Sequence, residues 1–281
     1  MLSFADGTTF FVGLALVLVS EALLFRYRNR VTRPILNVMA IVGIILVIIS
    51  ATPLPIWAYA VWTIPAVTGI VLVNRSAPPR RLCWICGVVL AASTLAFCFA
   101  EAPFHRRPTL RVPPQTTVYV LGDSISAGMG TKHRCWPEVL DDMTPLRVVN
   151  LAQPGATVES AIAQAKGISD PESLVIVEIG GNDLLGGTTA QAFHTTLDAL
   201  VSSLRSDRHD VLLLELPLFP FQNAYGVAQR DVARKHGCAM LPKRYFARVL
   251  GTQDGTLDGL HLSQAGHDAM AEIIADVLNE K

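Results

Sequence analysis

Charge is scarce in this sequence. Only 16% of its 281 residues are Asp, Glu, Lys or Arg, against 51% apolar residues. The 23 basic residues balance the 23 acidic ones. With no basic excess, nothing points to nucleic acid or another polyanion as a partner. The shortage is local. From Phe10 to Ala100 charges are nearly absent outside two short clusters, whereas from Thr116 onward the composition is that of an ordinary soluble domain. Cysteine is also scarce, at five residues. Cys83 and Cys86 form a C-x-x-C with no second pair to complete a zinc site and no surrounding redox-domain pattern. His133, His194, His209, His236 and His267 lack metal-ligand spacing. The stretch MLSFADGTT has no basic residue before the first apolar run, so it does not read as a cleavable signal peptide.

What is there begins with four apolar stretches, Phe10–Phe25, Ile35–Ala51, Leu54–Val73 and Leu82–Ala100. Their lengths suit bilayer crossing, which takes about 20 apolar helical residues. The last three hold no charged residue. Buried helices of a soluble core would show a polar face, and these do not. Glu21, near the end of the first stretch, reads as an interfacial residue close to the arginines that follow; a proton or ion role is its rival reading. Pro65 implies a kink in the third stretch. RYRNRVTR (Arg26–Arg33) holds four arginines and NRSAPPRR (Asn74–Arg81) three, whereas the loop around Thr52–Pro55 has none. Arginine-rich short loops stay in the cytoplasm. The C-terminal domain is then expected outside, in the periplasm of a bacterium, although Arg106 and Arg107 weigh weakly against it.

Residues 1–100 are thus expected to form a four-helix transmembrane region and residues 101–115, with four prolines, an extended spacer. Residues 116–281 are expected to form one soluble domain. In it, apolar strand-like runs at Thr117–Leu121, Arg147–Leu151, Ser173–Ile179, Val211–Leu216 and Cys238–Leu241 alternate with helical segments. Such alternation indicates an α/β fold with about five parallel strands covered on both faces. Sites in these folds form at the carboxyl ends of the strands.

Polar clusters sit at those ends. The first run closes on Gly122-Asp123-Ser124, the second is followed by QPG with Gly155, and the third by GGND with Asn182 and Asp183. DGLH, with Asp258 and His261, precedes the last helix. Each is an ordinary turn sequence by itself. Together they supply a full set of parts. Ser124 can be a nucleophile if a base takes its proton, His261 can be that base, and Asp258 can fix its tautomer. The backbone N–H groups of Ser124 and Gly155 and the Asn182 amide can face an oxyanion. Gly122 is expected to permit the tight turn and Asp123 to brace it. The serine lies in GDSIS rather than G-x-S-x-G, which argues against the α/β-hydrolase pattern.

The domain resembles the SGNH (GDSL-type) hydrolase family, on Ser124 in LGDSISAG, Gly155 in NLAQPGAT, Asn182 in IGGND and His261 in DGLH. It is most similar to bacterial periplasmic thioesterase I/lysophospholipase enzymes. The likeness spans nearly all of Thr116–Lys281 and none of the membrane region. It implies a flavodoxin-like three-layer α/β/α fold, no cofactor, and hydrolysis of a small-molecule or lipid-derived acyl ester. An envelope glycan O-deacetylase, an O-acyltransferase and an inactive membrane scaffold or sensor are the alternatives. The apolar segment LPLFPFQNAYG (Leu216–Gly226) reads either as core packing or as an acyl-contact surface. A disulfide between Cys135 and Cys238 is permitted outside the cytoplasm but not implied by their spacing.

Overall fold

The structure is a computed structural model that describes residues 5–26, 32–129 and 133–278. Arg28 and Arg30 of the first arginine cluster lie outside the described residues. Contacts divide the chain into two compact units. One comprises the residues up to His105 together with Leu218–Ala224, the other Arg106–Pro217 and Tyr225 onward.

The first unit is built on four helices, α1 (Thr8–Arg26), α2 (Thr32–Ile49), α3 (Ile56–Val73) and α4 (Arg80–Glu101). By length and composition all four could cross a membrane. Each turns a few residues inward and leaves large apolar side chains exposed, among them Ile35, Ile45, Trp57, Ile64, Trp84 and Phe99. Small residues let α1 and α2 approach closely: a Cβ on Gly13 would stand 2.6 Å from the Gly43 carbonyl oxygen, and one on Gly43 would stand 2.8 Å from that of Gly13. Pro65 lies inside α3, which continues through it. Glu21 precedes Arg26 by about a turn, but its carboxylate turns inward against Gly69 of α3.

The second unit carries one sheet of five parallel strands. These are β1 (Thr117–Gly122), β2 (Arg147–Asn150), β3 (Leu174–Glu178), β4 (Asp210–Leu214) and β5 (Ala239–Leu241). Their order is β2-β1-β3-β4-β5, the flavodoxin-like arrangement. Helices α5 (Ser124–Ala127), α6 (Trp136–Met143), α7 (Val158–Ala165), α8 (Gly181–Leu185), α9 (Ala190–Ser206), α10 (Asn223–His236), α11 (Lys243–Gly251) and α12 (Gln264–Leu278) complete the unit. Alternate strand residues Val118, Val120, Ile176, Leu212 and Leu214 pack with Trp136, Leu140, Phe246, Met270 and Ile274 from α6, α11 and α12. The intervening residues Tyr119, Leu121, Val175, Val177 and Leu213 are buried as well, on the face where α7 and α9 meet the sheet. Each fully buried aliphatic side chain contributes about 1.5–3 kcal/mol, so continuous apolar strands are what a sheet covered on both faces requires.

Ser263 caps α12 as its position suggests, its Oγ accepting from the Gly266 N–H at 3.2 Å. Three helices go beyond the alternation read from the sequence. α5 and α8 are only four and five residues long, too short to show a period. In α11, Phe246 and Val249 face the core among basic residues. The proline-rich stretch is also more than a spacer. The Leu110 N–H donates to the Val277 carbonyl at 2.7 Å, and Leu110 and Val112 pack on the core. All five cysteines are free, so Cys135 and Cys238 do not pair; burial pushes the Cys238 thiol up to about 11.

Candidate active site

The crossover between β1 and its neighbours puts the carboxyl ends of β1 and β3 side by side, with Gly122 registered against Glu178. β1 stops there because its last residue hands its backbone to a side chain. Gln164 Oε1 accepts from the Gly122 N–H at 3.0 Å, and Gln164 Nε2 donates to the Gly122 carbonyl at 2.9 Å. Gly122 does not need a left-handed conformation, since its φ is not positive. It needs space: a Cβ would lie 2.8 Å from Ser126 Oγ and 3.0 Å from the Glu178 carbonyl oxygen.

Asp123 caps α5. Its Oδ1 accepts from the Ile125 N–H at 2.9 Å, which leaves Ser124 as the first helical residue, half-buried at the rim. Asp123 itself is buried. Burial is the main cause that raises its pKa, opposed by the Ile125 N–H and by the charge of His261.

GGND arrives from β3. Gly180 takes φ 117°, and a Cβ there would stand 2.7 Å from Phe193 and 2.9 Å from Leu216. Asn182 Nδ2 donates to the Ala156 carbonyl at 2.9 Å and to Asp123 Oδ2 at 3.2 Å. Asp183 is buried, and its Oδ2 accepts from the Val158 N–H at 3.0 Å, tying α8 to α7. Gly155 has φ 77° and open space where a Cβ would be. Among the described hydrogen bonds, the N–H groups of Ser124 and Gly155 have no acceptor within the protein.

DGLH closes on itself. Asp258 Oδ1 accepts from the Leu260 and His261 N–H groups at 3.0 and 2.8 Å, and Asp258 Oδ2 meets His261 Nδ1 at 2.7 Å. These bonds hold the Asp258 carboxyl well below the usual carboxylate range, the His261 side chain first among them. Leu257 and Leu260 of the loop are exposed, as are Met129, five residues after Ser124, and Leu185, three after Asn182. Of the apolar segment LPLFPFQNAYG, Leu216, Leu218 and Tyr225 are buried while Phe219 and Phe221 are exposed.

Asp123 and Asn182 are joined directly, Asp258 and His261 likewise, and the two pairs interact through charge. Ser124 and His261 are not hydrogen-bonded to each other among the described residues. Such bonds are often loose until substrate arrives. Glu178, Ser126, Trp136 and Gln164, which fix the turn from beneath, do not stand out as site residues in the sequence. Glu178 did carry a signal: it is the one acid in an otherwise apolar strand, LVIVE.

Comparison with known proteins finds relatives of the second unit. The chain is 30% identical over 175 residues to an esterase, TesA, of Pseudomonas aeruginosa, covering 56% of this chain and 84% of that protein. It is 26% identical over 183 residues to a thioesterase 1/protease 1/lysophospholipase L1 of Escherichia coli, covering 60% of this chain and 86% of that protein. A crystal structure of TesA superposes with a TM-score of 0.50 at 28% identity, over 56% of this chain and 95% of the other. The model of the GDSL-like lipase/acylhydrolase family matches residues 120–269, from β1 into α12, and the chain belongs to that family of ester hydrolases.

Proposed function

We propose that this protein is a membrane-anchored serine esterase that cleaves acyl esters, lipid-derived ones included, through an acyl-enzyme on Ser124. The observation that carries the reading is the 2.7 Å pair of Asp258 and His261, whose charge acts on Asp123 in the turn that presents Ser124; among the described hydrogen bonds the Ser124 and Gly155 N–H groups have no acceptor within the protein. Asp258 holds the proton of His261 on Nδ1, leaving Nε2 as the base. Nε2 takes the Ser124 proton as Oγ attacks the acyl carbonyl. The oxyanion is met by the N–H groups of Ser124 and Gly155 and by the Asn182 amide, whose longer bond, to Asp123, is the one it would share. The imidazolium returns its proton to the leaving alcohol. Water, deprotonated by His261, then attacks the acyl-enzyme; the acyl–Oγ bond breaks, His261 returns the proton to Ser124 Oγ, and the acid is freed.

The names of the relatives, an esterase and a thioesterase/lysophospholipase, support an acyl ester as substrate. Exposed Met129, Leu185, Leu257 and Leu260 on the site-bearing segments support an acyl chain. The four apolar helices support an anchor formed by residues 1–100, with 101–115 leading to a hydrolase domain at 116–281. Arg26, Arg33, Arg75, Arg80 and Arg81 favour a cytoplasmic position for their loops and a periplasmic or exterior one for the hydrolase domain.

The test is turnover of p-nitrophenyl esters of increasing chain length by the full chain and its Ser124→Ala variant. Wild-type turnover with a preference for chains longer than acetyl, abolished in the variant, is the expected result. Undiminished turnover by Ser124→Ala would overturn the mechanism. An acetyl optimum would transfer the assignment to glycan O-deacetylation, and acylated products formed with acceptor sugars would transfer it to acyl transfer.

A further inference from the structure

A second carboxyl lies beneath the nucleophile turn, and the reaction above does not use it. Glu178 ends β3, only 1% exposed. Ser126 Oγ donates to its Oε2 at 2.8 Å, and Trp136 Nε1 donates to Ser126 Oγ at 3.1 Å. An indole N–H can only donate. The Ser126 hydroxyl proton is therefore directed at Glu178, which makes Oε2 an acceptor. The Glu178 carboxyl also acts on Asp123, which follows Gly122, the residue registered against Glu178 on the neighbouring strand. The Asp123 carboxylate is in turn aimed at Ile125 N–H and at the Asn182 amide.

Two buried carboxyls sharing one site cannot both ionise. The neighbours decide which one keeps the proton. Asp123 has the Ile125 N–H, the Asn182 amide and the charge of His261 to favour its carboxylate, with Asp183 opposing. Glu178 is the more deeply buried, and the charge facing it is that of Asp123. We propose that Glu178 is a positioning residue that stays protonated at neutral pH and donates its O–H to Asp123, locking the Asp123 carboxylate where it caps the Ser124 turn and holds the Asn182 amide. Burial, and then the Asp123 charge, raise the Glu178 carboxyl well above its ordinary 4.5, which agrees with this assignment. The sign follows. As pH rises through that raised value, a second carboxylate appears beside Asp123, the pair repels, and the turn loosens. Activity then acquires an alkaline limb.

The consequence for catalysis rests on Ser124 being the nucleophile, but the protonation state does not. The experiment therefore has two arms, both on the full chain in detergent. Infrared difference spectra at pH 7, wild type minus Glu178→Gln, are expected to show the carbonyl stretch of a protonated acid that the variant lacks. In Asp123→Asn, where the facing charge is gone, that band should titrate away at lower pH than in wild type. In the kinetic arm, Glu178→Ala is expected to lose on the order of 10²-fold in kcat, the cost of about 1 Å of misplacement, with KM little changed. Glu178→Gln, which keeps a donor but has no proton to lose, should recover most of that loss and flatten the alkaline limb. Absence of the protonated-acid band overturns the proposal, and so does a Glu178→Gln enzyme that is stably folded yet as slow as Glu178→Ala. Turnover by Ser124→Ala would sink the serine mechanism while leaving the infrared result standing.

Discussion

Replacing Gly122 by alanine adds one methyl group where the structure has no room for it. Its Cβ would lie 2.8 Å from Ser126 Oγ, 2.9 Å from Ser126 Cβ and 3.0 Å from the Glu178 carbonyl oxygen. Ordinary contacts of this kind begin near 3.4 Å, so the neighbours must retreat by roughly half an ångström. The Glu178 carbonyl belongs to β3, which pairs with β1. Nor can the Ser126 hydroxyl swing aside without breaking its bonds to Glu178 and Trp136. Overpacking of this sort costs about 1–3 kcal/mol, and a broken buried hydrogen bond adds about 0.5–1.5 kcal/mol. A destabilisation of about 2–4 kcal/mol is expected, accompanied by a fall in kcat because Ser124 sits at the end of the displaced turn. Denaturant unfolding followed by tryptophan fluorescence measures the first effect, since Trp136 is fully buried in this core. Ester turnover measures the second. Adding Ser126→Gly removes two of the three contacts and should make the double variant more stable than the sum of its parts, by roughly 1 kcal/mol or more. Gly122→Ala within about 0.5 kcal/mol of wild type, with unchanged turnover, would refute the packing argument.

Other consequences follow from the same geometry. Asp258→Asn keeps an oxygen for the Leu260 and His261 N–H groups but presents an amide donor to Nδ1, forcing the wrong tautomer. Since Asp258 is largely exposed, its charge is screened, and kcat should fall by about 10²–10³ rather than by the roughly 10⁴ of a buried aspartate; a loss under about tenfold, measured by ester hydrolysis on a folded variant, would contradict the pairing. His267 is buried, and its Nδ1 accepts from the Trp136 N–H at 3.2 Å. Burial lowers its pKa from the ordinary 6.5, so the folded state resists protonation. Its contribution to stability is full above pH 6.5 and is lost as pH falls toward the lowered value. Melting temperatures compared at pH 8 and pH 5 should show this drop, and a His267→Gln variant should show less of it.

How much of this was legible in the sequence depends on the kind of force involved. The runs around Val118–Leu121 and Leu174–Val177 are apolar because both faces of the sheet are covered, so their burial could be read directly. Ser124, Gly155, Asn182 and His261 stood out because polar or glycine-bearing clusters after strands or before a helix have a chemical use. What stayed hidden was the support beneath them. Gly122 looked like a turn glycine, whereas its φ is ordinary and the demand for it comes from Ser126 and Glu178, residues distant in sequence or on another element. Gln164 lies inside an ordinary helix, and only the fold reveals that its amide terminates β1. Leu110 and Val112 sit among prolines without periodicity, so nothing local announces that they reach the core. Such pairings depend on tertiary approach, which local patterns do not encode.

The central claim is that Ser124 is the nucleophile and His261 its base. A fluorophosphonate ester reacts with a serine only when a base activates it. Intact-mass and peptide mass spectrometry of the labelled full chain should place one phosphonyl group on Ser124, with labelling slowed strongly in His261→Ala and abolished in Ser124→Ala. An adduct on another residue, or undiminished labelling of the folded His261→Ala protein, would contradict the account.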